Sequence, residues 1–74
     1  MTTETVDTRG LKSPDCIIKI IKRAVRMKSG SILEVWGDSP TFEKDVKAWC
    51  EETARVILSV ERDGEATRKV QLKL

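Results

Sequence analysis

Histidine is absent from this 74-residue chain, and so is tyrosine. Without an imidazole there is no histidine general acid–base catalysis and no histidine metal site. Cysteine occurs twice, as Cys16 and Cys50. That is too few for a structural zinc site and enough for one disulfide. The only aromatic residues are Trp36, Phe42 and Trp49. They are not interleaved with basic groups, as rings that stack on nucleic-acid bases usually are. The net charge of +2, from 14 basic and 12 acidic side chains, is a weak field, so no direct nucleic-acid binding is expected. No apolar run approaches the roughly 20 residues of a membrane span. The opening MTTETVDTRG is polar and has no export core. A cytoplasmic chain with free thiols and no membrane partner is therefore expected.

The length fits one small domain over residues 1–74. A domain of this size hides only about 60% of its unfolded surface. Its chemistry is therefore expected on a loop or an element end, not in a deep cavity.

Residues 1–4 are polar and read as loose, and Thr5 to Thr8 reads as a first strand. From Pro14 to about Lys28, Ile17, Ile18, Ile20, Ile21, Ala24 and Val25 recur at helical spacing. Ser13 suits the N-cap, Pro14 the first helical position and Asp15 the first turn. Gly30 suits the C-terminal turn. Ile32 to Trp36 alternates as a strand. Ser39 and Pro40 repeat the helix-start punctuation, and a second helix carries Phe42, Val46, Trp49, Cys50 and Thr53 on its apolar side. Ala54 to Arg62 reads as a third strand, Asp63–Gly64 as a hairpin turn, and the residues up to Leu74 as a fourth strand. The order β-α-β-α-β-β predicts an α+β fold. Its form is a two-layer α/β sandwich, a mixed four-stranded sheet with two helices on one face. A right-handed crossover makes the first two strands parallel.

The stretch GLKSPDC, Gly10 to Cys16, holds the chemistry-bearing residues. At the third helical position, Cys16 would meet first-turn amides and the helix dipole, which favour a thiolate. Lys12 and Lys19 would help and Asp15 would oppose. The same residue can also point inward as a small hydrophobe. Ser13 is first of all a capping residue. As a nucleophile it would lack a histidine base. With cysteine at position 13 the stretch would read CPDC. Cys50, on the apolar face of the second helix, reads as buried, and both tryptophans read as core. The basic stripe Lys19, Lys22, Arg23 and Arg26 reads as a solvated face or as a surface that steers an acidic protein partner.

These pieces resemble the TusA/SirA/YedF family of small sulfur carriers over nearly the whole length. VDTRGLKSPDCIIKIIKRAV is similar to the family's opening strand, its GL-x-C-P-x-P signature and its first helix. GSILEVWGDSP is similar to the following G-x-x-L-x-V-x-x-D-D-P segment, and KDVKAWCEET to the second helix. The resemblance implies the sandwich already derived, a fold shared with the C-terminal domain of bacterial initiation factor three. It further implies a persulfide carried on the signature cysteine, with no metal or organic cofactor. The sulfur would pass between donor and acceptor proteins such as cysteine desulfurases, rhodaneses or DsrE-like proteins. The routes that the resemblance implies include tRNA thiolation, molybdenum cofactor supply and dissimilatory sulfur oxidation. Gly10, Leu11 and Pro14 match the signature, and Asp15 stands where the family often has glutamate. Asp38 and Pro40 match the second segment, with Ser39 in place of aspartate. Ser13 occupies the sulfur-carrying position and Cys16 that of the second proline.

Three origins are open for Ser13: a replaced cysteine, a variant whose chemistry moved to Cys16, or a member without transfer activity. The readings that follow are a sulfur relay interrupted at Ser13, a non-catalytic interaction or regulatory module, and a C-x-x-C thiol redox protein. Whether the chain acts as a sulfurtransferase therefore turns on Ser13 and Cys16.

Overall fold

Alternation places Leu33, Val35 and Gly37 on the buried face of one strand, while Ile32, Glu34 and Trp36 face the other way. The computed structural model describes residues 3–74 and builds its sheet around this strand. The elements run β1 (Thr3–Asp7), α1 (Asp15–Ala24), β2 (Ile32–Gly37), α2 (Phe42–Glu52), β3 (Val56–Asp63) and β4 (Thr67–Lys73). The expected element order and the mixed four-stranded sheet are both found. In space the strands lie β1-β2-β4-β3. β1 and β2 are parallel, and β4 is antiparallel to both β2 and β3. The C-terminal ends of β1, β2 and β3 therefore share one end of the sheet. The loops into α1 and α2 and the β3–β4 hairpin all gather there.

The core is one cluster between the helices and the inner sheet face. Cys16, Ile20 and Ala24 come from α1, and Phe42, Val46 and Cys50 from α2. Each set has the i, i+4, i+8 spacing of one helix face. The strands add Val6, Leu33, Val35, Val70 and Leu72. Gly37 is where β2 must be bare. A Cβ built there would lie 2.6 Å from Phe42 Cγ and closer still to Cδ1 and Cε1. The missing side chain is what lets the Phe42 ring lie flat against the strand and start α2.

Several sequence expectations shift. Thr3 and Glu4 belong to β1, where they pair with Ile32 and Leu33 of β2, and the Glu4 carboxylate meets Arg23 at 2.7 Å. Met1 and Thr2, also read as loose, lie outside the described residues. α1 stops at Ala24, and Val25, expected on the apolar side, is 71% exposed. The chain tightens there, with Arg26 N–H to Arg23 O and Met27 N–H to Ala24 O, both at 3.1 Å. Gly30 has the expected positive φ of 90° but serves the sheet, its N–H donating to Leu74 O at 2.8 Å. Ile18 is also largely exposed, and Thr53 is exposed.

Trp36, expected in the core, lies half-buried on the open face of the sheet. Its Nε1–H donates to Glu34 Oε1 at 2.9 Å, and Gln71 Nε2 donates to Glu34 Oε2 at 3.0 Å. Trp49 is likewise half-buried, under the Arg55 guanidinium at 4.8 Å from its ring centroid.

Candidate functional site

Thr8 turns the chain out of β1. It is fully buried, and its N–H (2.7 Å) and hydroxyl (2.6 Å) both donate to Trp36 O. Asp7 organises the next residue. Its carboxylate accepts from the Arg9 N–H at 2.9 Å and pairs with the Arg9 guanidinium at 2.7 Å. That guanidinium lies 5.4 Å from the Trp36 ring centroid, and Lys69 Nζ lies 5.5 Å from the same centroid. Gly10, at φ 86°, then brings its N–H to Asp38 Oδ1 at 3.0 Å. Positive φ is costly for other residues, and here it aims the amide at the loop ahead of α2. Leu11 packs on the core, and its N–H donates to Thr8 O at 3.1 Å. The segment is thus held at both edges while Lys12, Ser13, Pro14 and Asp15 stand exposed above α1.

Ser13 does not cap α1. The helix begins at Asp15 with Pro14 at the cap, and no side chain caps its amides. The Lys12 carbonyl takes the Cys16 N–H at 3.2 Å instead. The hydroxyl at position 13 is therefore not used to hold the helix. α2 departs from expectation in the same way, starting at Phe42 after Thr41. There Ser39 supplies its carbonyl to Phe42 N–H at 3.0 Å.

Of the two readings open for Cys16, the structure takes the inward one, a small hydrophobe in the core. Cys16 is 0% exposed, on the inward face of α1. Burial pushes its thiol above the ordinary range, and Asp45 and Asp15 push the same way. The amides of Ile17 and Cys16 do favour the anion, as a helix start should, and are outweighed. Cys50 is buried as expected, and its thiol too is raised by burial. Both cysteines are free.

Lys19 is the other departure. Its Nζ donates to Asp7 O at 2.8 Å, so it holds α1 to the edge of β1 and does not turn to the Ser13 loop. Lys22, Arg23 and Arg26 continue the stripe along that edge. Asp38 and Trp36 are contributions to the site that residue-by-residue reading missed. The Asp38–Gly10 bond joins residues 28 apart in sequence, and no local pattern announces it. Among the described residues no cluster of acids and thiols is arranged to hold a metal, and no helix is long and apolar enough to cross a membrane.

The Asp7–Arg9 pair makes a prediction about acid. Hydrogen bonds from the Arg9 side chain and then its backbone lower the Asp7 carboxyl from 3.8 to about 2. A depressed folded-state value means the stabilisation is complete above about 3.8 and is lost as pH falls through about 2. Both groups are exposed, so solvent screens the effect. Asp7→Asn should flatten the loss of stability across that window in acid titrations of thermal unfolding. An unchanged slope would show that the pair contributes nothing.

The described residues thus form a two-layer sandwich with a braced, exposed loop at the start of α1. The model of the TusA sulfurtransferase family matches residues 4–72, and the chain belongs to that family. Its relatives agree. A Neisseria meningitidis serogroup A protein named "Putative sulfur carrier protein" is 36% identical over 74 residues, 99% of this chain and 100% of its own. A Bacillus subtilis protein of the same description, YrkF, is 33% identical over 66 residues, 89% of this chain but 36% of its own. A Thermotoga maritima relative, again so named, is 29% identical over 72 residues, 97% of this chain and 91% of its own.

Proposed function

We propose that this chain is a sulfur-relay domain whose sulfur-bearing position is residue 13, and that Ser13 leaves it able to dock but not to transfer. The observation that carries this is the contrast within one helix start. Position 13 is exposed on a braced loop, while Cys16 is sealed in the core. In the transfer step a thiolate attacks the outer sulfur of a donor persulfide. A new S–S bond forms, the donor's S–S bond breaks, and the donor cysteine leaves as thiolate. A serine hydroxyl stays protonated at neutral pH without a base beside it. Transfer relocated to Cys16 would require a buried, raised-pKa thiol to reach a partner. A C-x-x-C redox site would need the same sulfur exposed.

In this reading Gly10, Leu11 and Pro14 shape the loop, Lys12 attracts anionic sulfur, and Asp15 marks the helix start. Lys19, Lys22, Arg23 and Arg26 face donor and acceptor proteins of the cysteine desulfurase, rhodanese or DsrE-like kind in the cytoplasm. The routes served are tRNA thiolation, cofactor synthesis or sulfur oxidation. Loading with a cysteine desulfurase and free cysteine tests it. Ser13→Cys should gain the mass of one sulfur atom on residue 13, removable by reductant, and the unaltered chain should gain none. Loading of the unaltered chain on Cys16, or a Ser13→Cys protein that folds but stays unloaded, would sink the proposal.

A further inference from the structure

β1 is an edge strand, hydrogen-bonded only to β2. Thr8 N–H points to β2, at Trp36 O. By strand alternation Val6 and Glu4 also turn their main-chain groups to β2, and Thr5 and Asp7 turn theirs outward. Asp7 O confirms this, since Lys19 Nζ reaches it from outside the sheet at 2.8 Å. Above this edge α1 supplies a wall of Lys19, Lys22, Arg23 and Arg26, and a groove of about 330 Å³ runs between the two. Arg23 is paired with Glu4 and Lys19 with the strand. Among the described residues Lys22 and Arg26 have no ion-pair partner. The other edge differs. β3 carries a bulge between Ile57 and Ser59, whereas β1 keeps unbroken register with β2 from Thr3 to Asp7.

We propose that the β1 edge accepts an extended acidic segment of a partner protein as a fifth strand. Main-chain bonds to the Thr5 N–H and C=O and to the Asp7 N–H would set its register, the Asp7 carbonyl being held by Lys19 Nζ. Alternate side chains would rise toward α1, so aspartate or glutamate at every second position would meet Lys22 and Arg26. A second copy of this chain does not fit. Pairing β1 with β1 would bring two basic walls together, and like charges across an interface oppose docking.

The inference rests on the partner-facing role of this stripe in the relay reading and can fail separately from it. The probe is a short capped peptide alternating threonine and glutamate, with its threonine–lysine counterpart as control. The acidic peptide should slow hydrogen exchange at the Thr5 and Asp7 amides and the control should not. Lys22→Glu with Arg26→Glu should weaken binding about tenfold. Thr5→Pro removes one outward N–H at a position where an edge strand tolerates proline, and should weaken it about fivefold. Exchange protection in the unaltered protein decides the matter should Thr5→Pro fold poorly. Equal binding of both peptides, unprotected amides, or self-association through β1 would overturn the proposal. Docking without sulfur loading of Ser13→Cys would count against the relay alone.

Discussion

Ser13→Cys should give the protein a thiol that alkylates at least about 100-fold faster than Cys16 or Cys50. Reaction needs a thiolate and access. Cys16 and Cys50 are 0% and 2% exposed, and burial raises both thiols. Each must wait for the fold to open. Opening a core helix in a domain of this size costs several kcal/mol, so the reactive fraction is about one in a thousand or less. Position 13 is exposed, with Lys12 beside it. Mass spectrometry of iodoacetamide-treated protein near neutral pH would resolve the three sites. Should Cys16 in the unaltered protein label at the rate of a free peptide thiol, it would be an accessible sulfur site after all.

Gly37→Ala should cost about 3 kcal/mol, at the upper end for overpacking a core. In a domain this small that lowers Tm by roughly 15–20 °C. The added methyl has nowhere to go. It would lie 2.6 Å from Phe42 Cγ, on a ring that is itself 0% exposed. The clash is specific to that ring, which a double variant can show. Phe42→Leu alone leaves a cavity and also destabilises. In Gly37→Ala/Phe42→Leu the methyl enters the space the ring leaves, so the combined loss should fall below the sum of the two. Strict additivity in calorimetric unfolding would place the strain elsewhere. Asp38 follows Gly37 directly and holds Gly10, so the single variant should also loosen the Ser13 loop.

The strands and helices were legible because both periodicities are clear. The DG turn marks the hairpin at Asp63, and Phe42, Val46 and Cys50 mark the inner face of α2. What sequence could not settle was decided by contacts made across the chain. Trp36 read as core because its strand alternates, but alternation alone does not say which face is covered. Here the smaller set, Leu33, Val35 and Gly37, lies under the helices. The isoleucines of α1 suggested a wider apolar stripe than one sheet face covers, so Ile18 and Val25 were left in solvent. Ser13-Pro14 looked like a capped helix start, yet the Lys12 carbonyl had taken the amide. Cys16 was ambiguous because a helix start favours a thiolate only when the sulfur faces outward. The Asp38–Gly10 bond, which braces the candidate site, had no local signature.

The bulge at Leu58 has a consequence for assembly. A sheet open at both edges can add strands without limit, and identical chains can then stack into fibres. Here one rim is straight and guarded by cations, while the other is kinked by an extra residue that breaks its repeat. Under the fifth-strand proposal the molecule would act as a terminator: β1 would be extended once, by a strand of the opposite charge, and the shifted register of β3 would discourage a second addition.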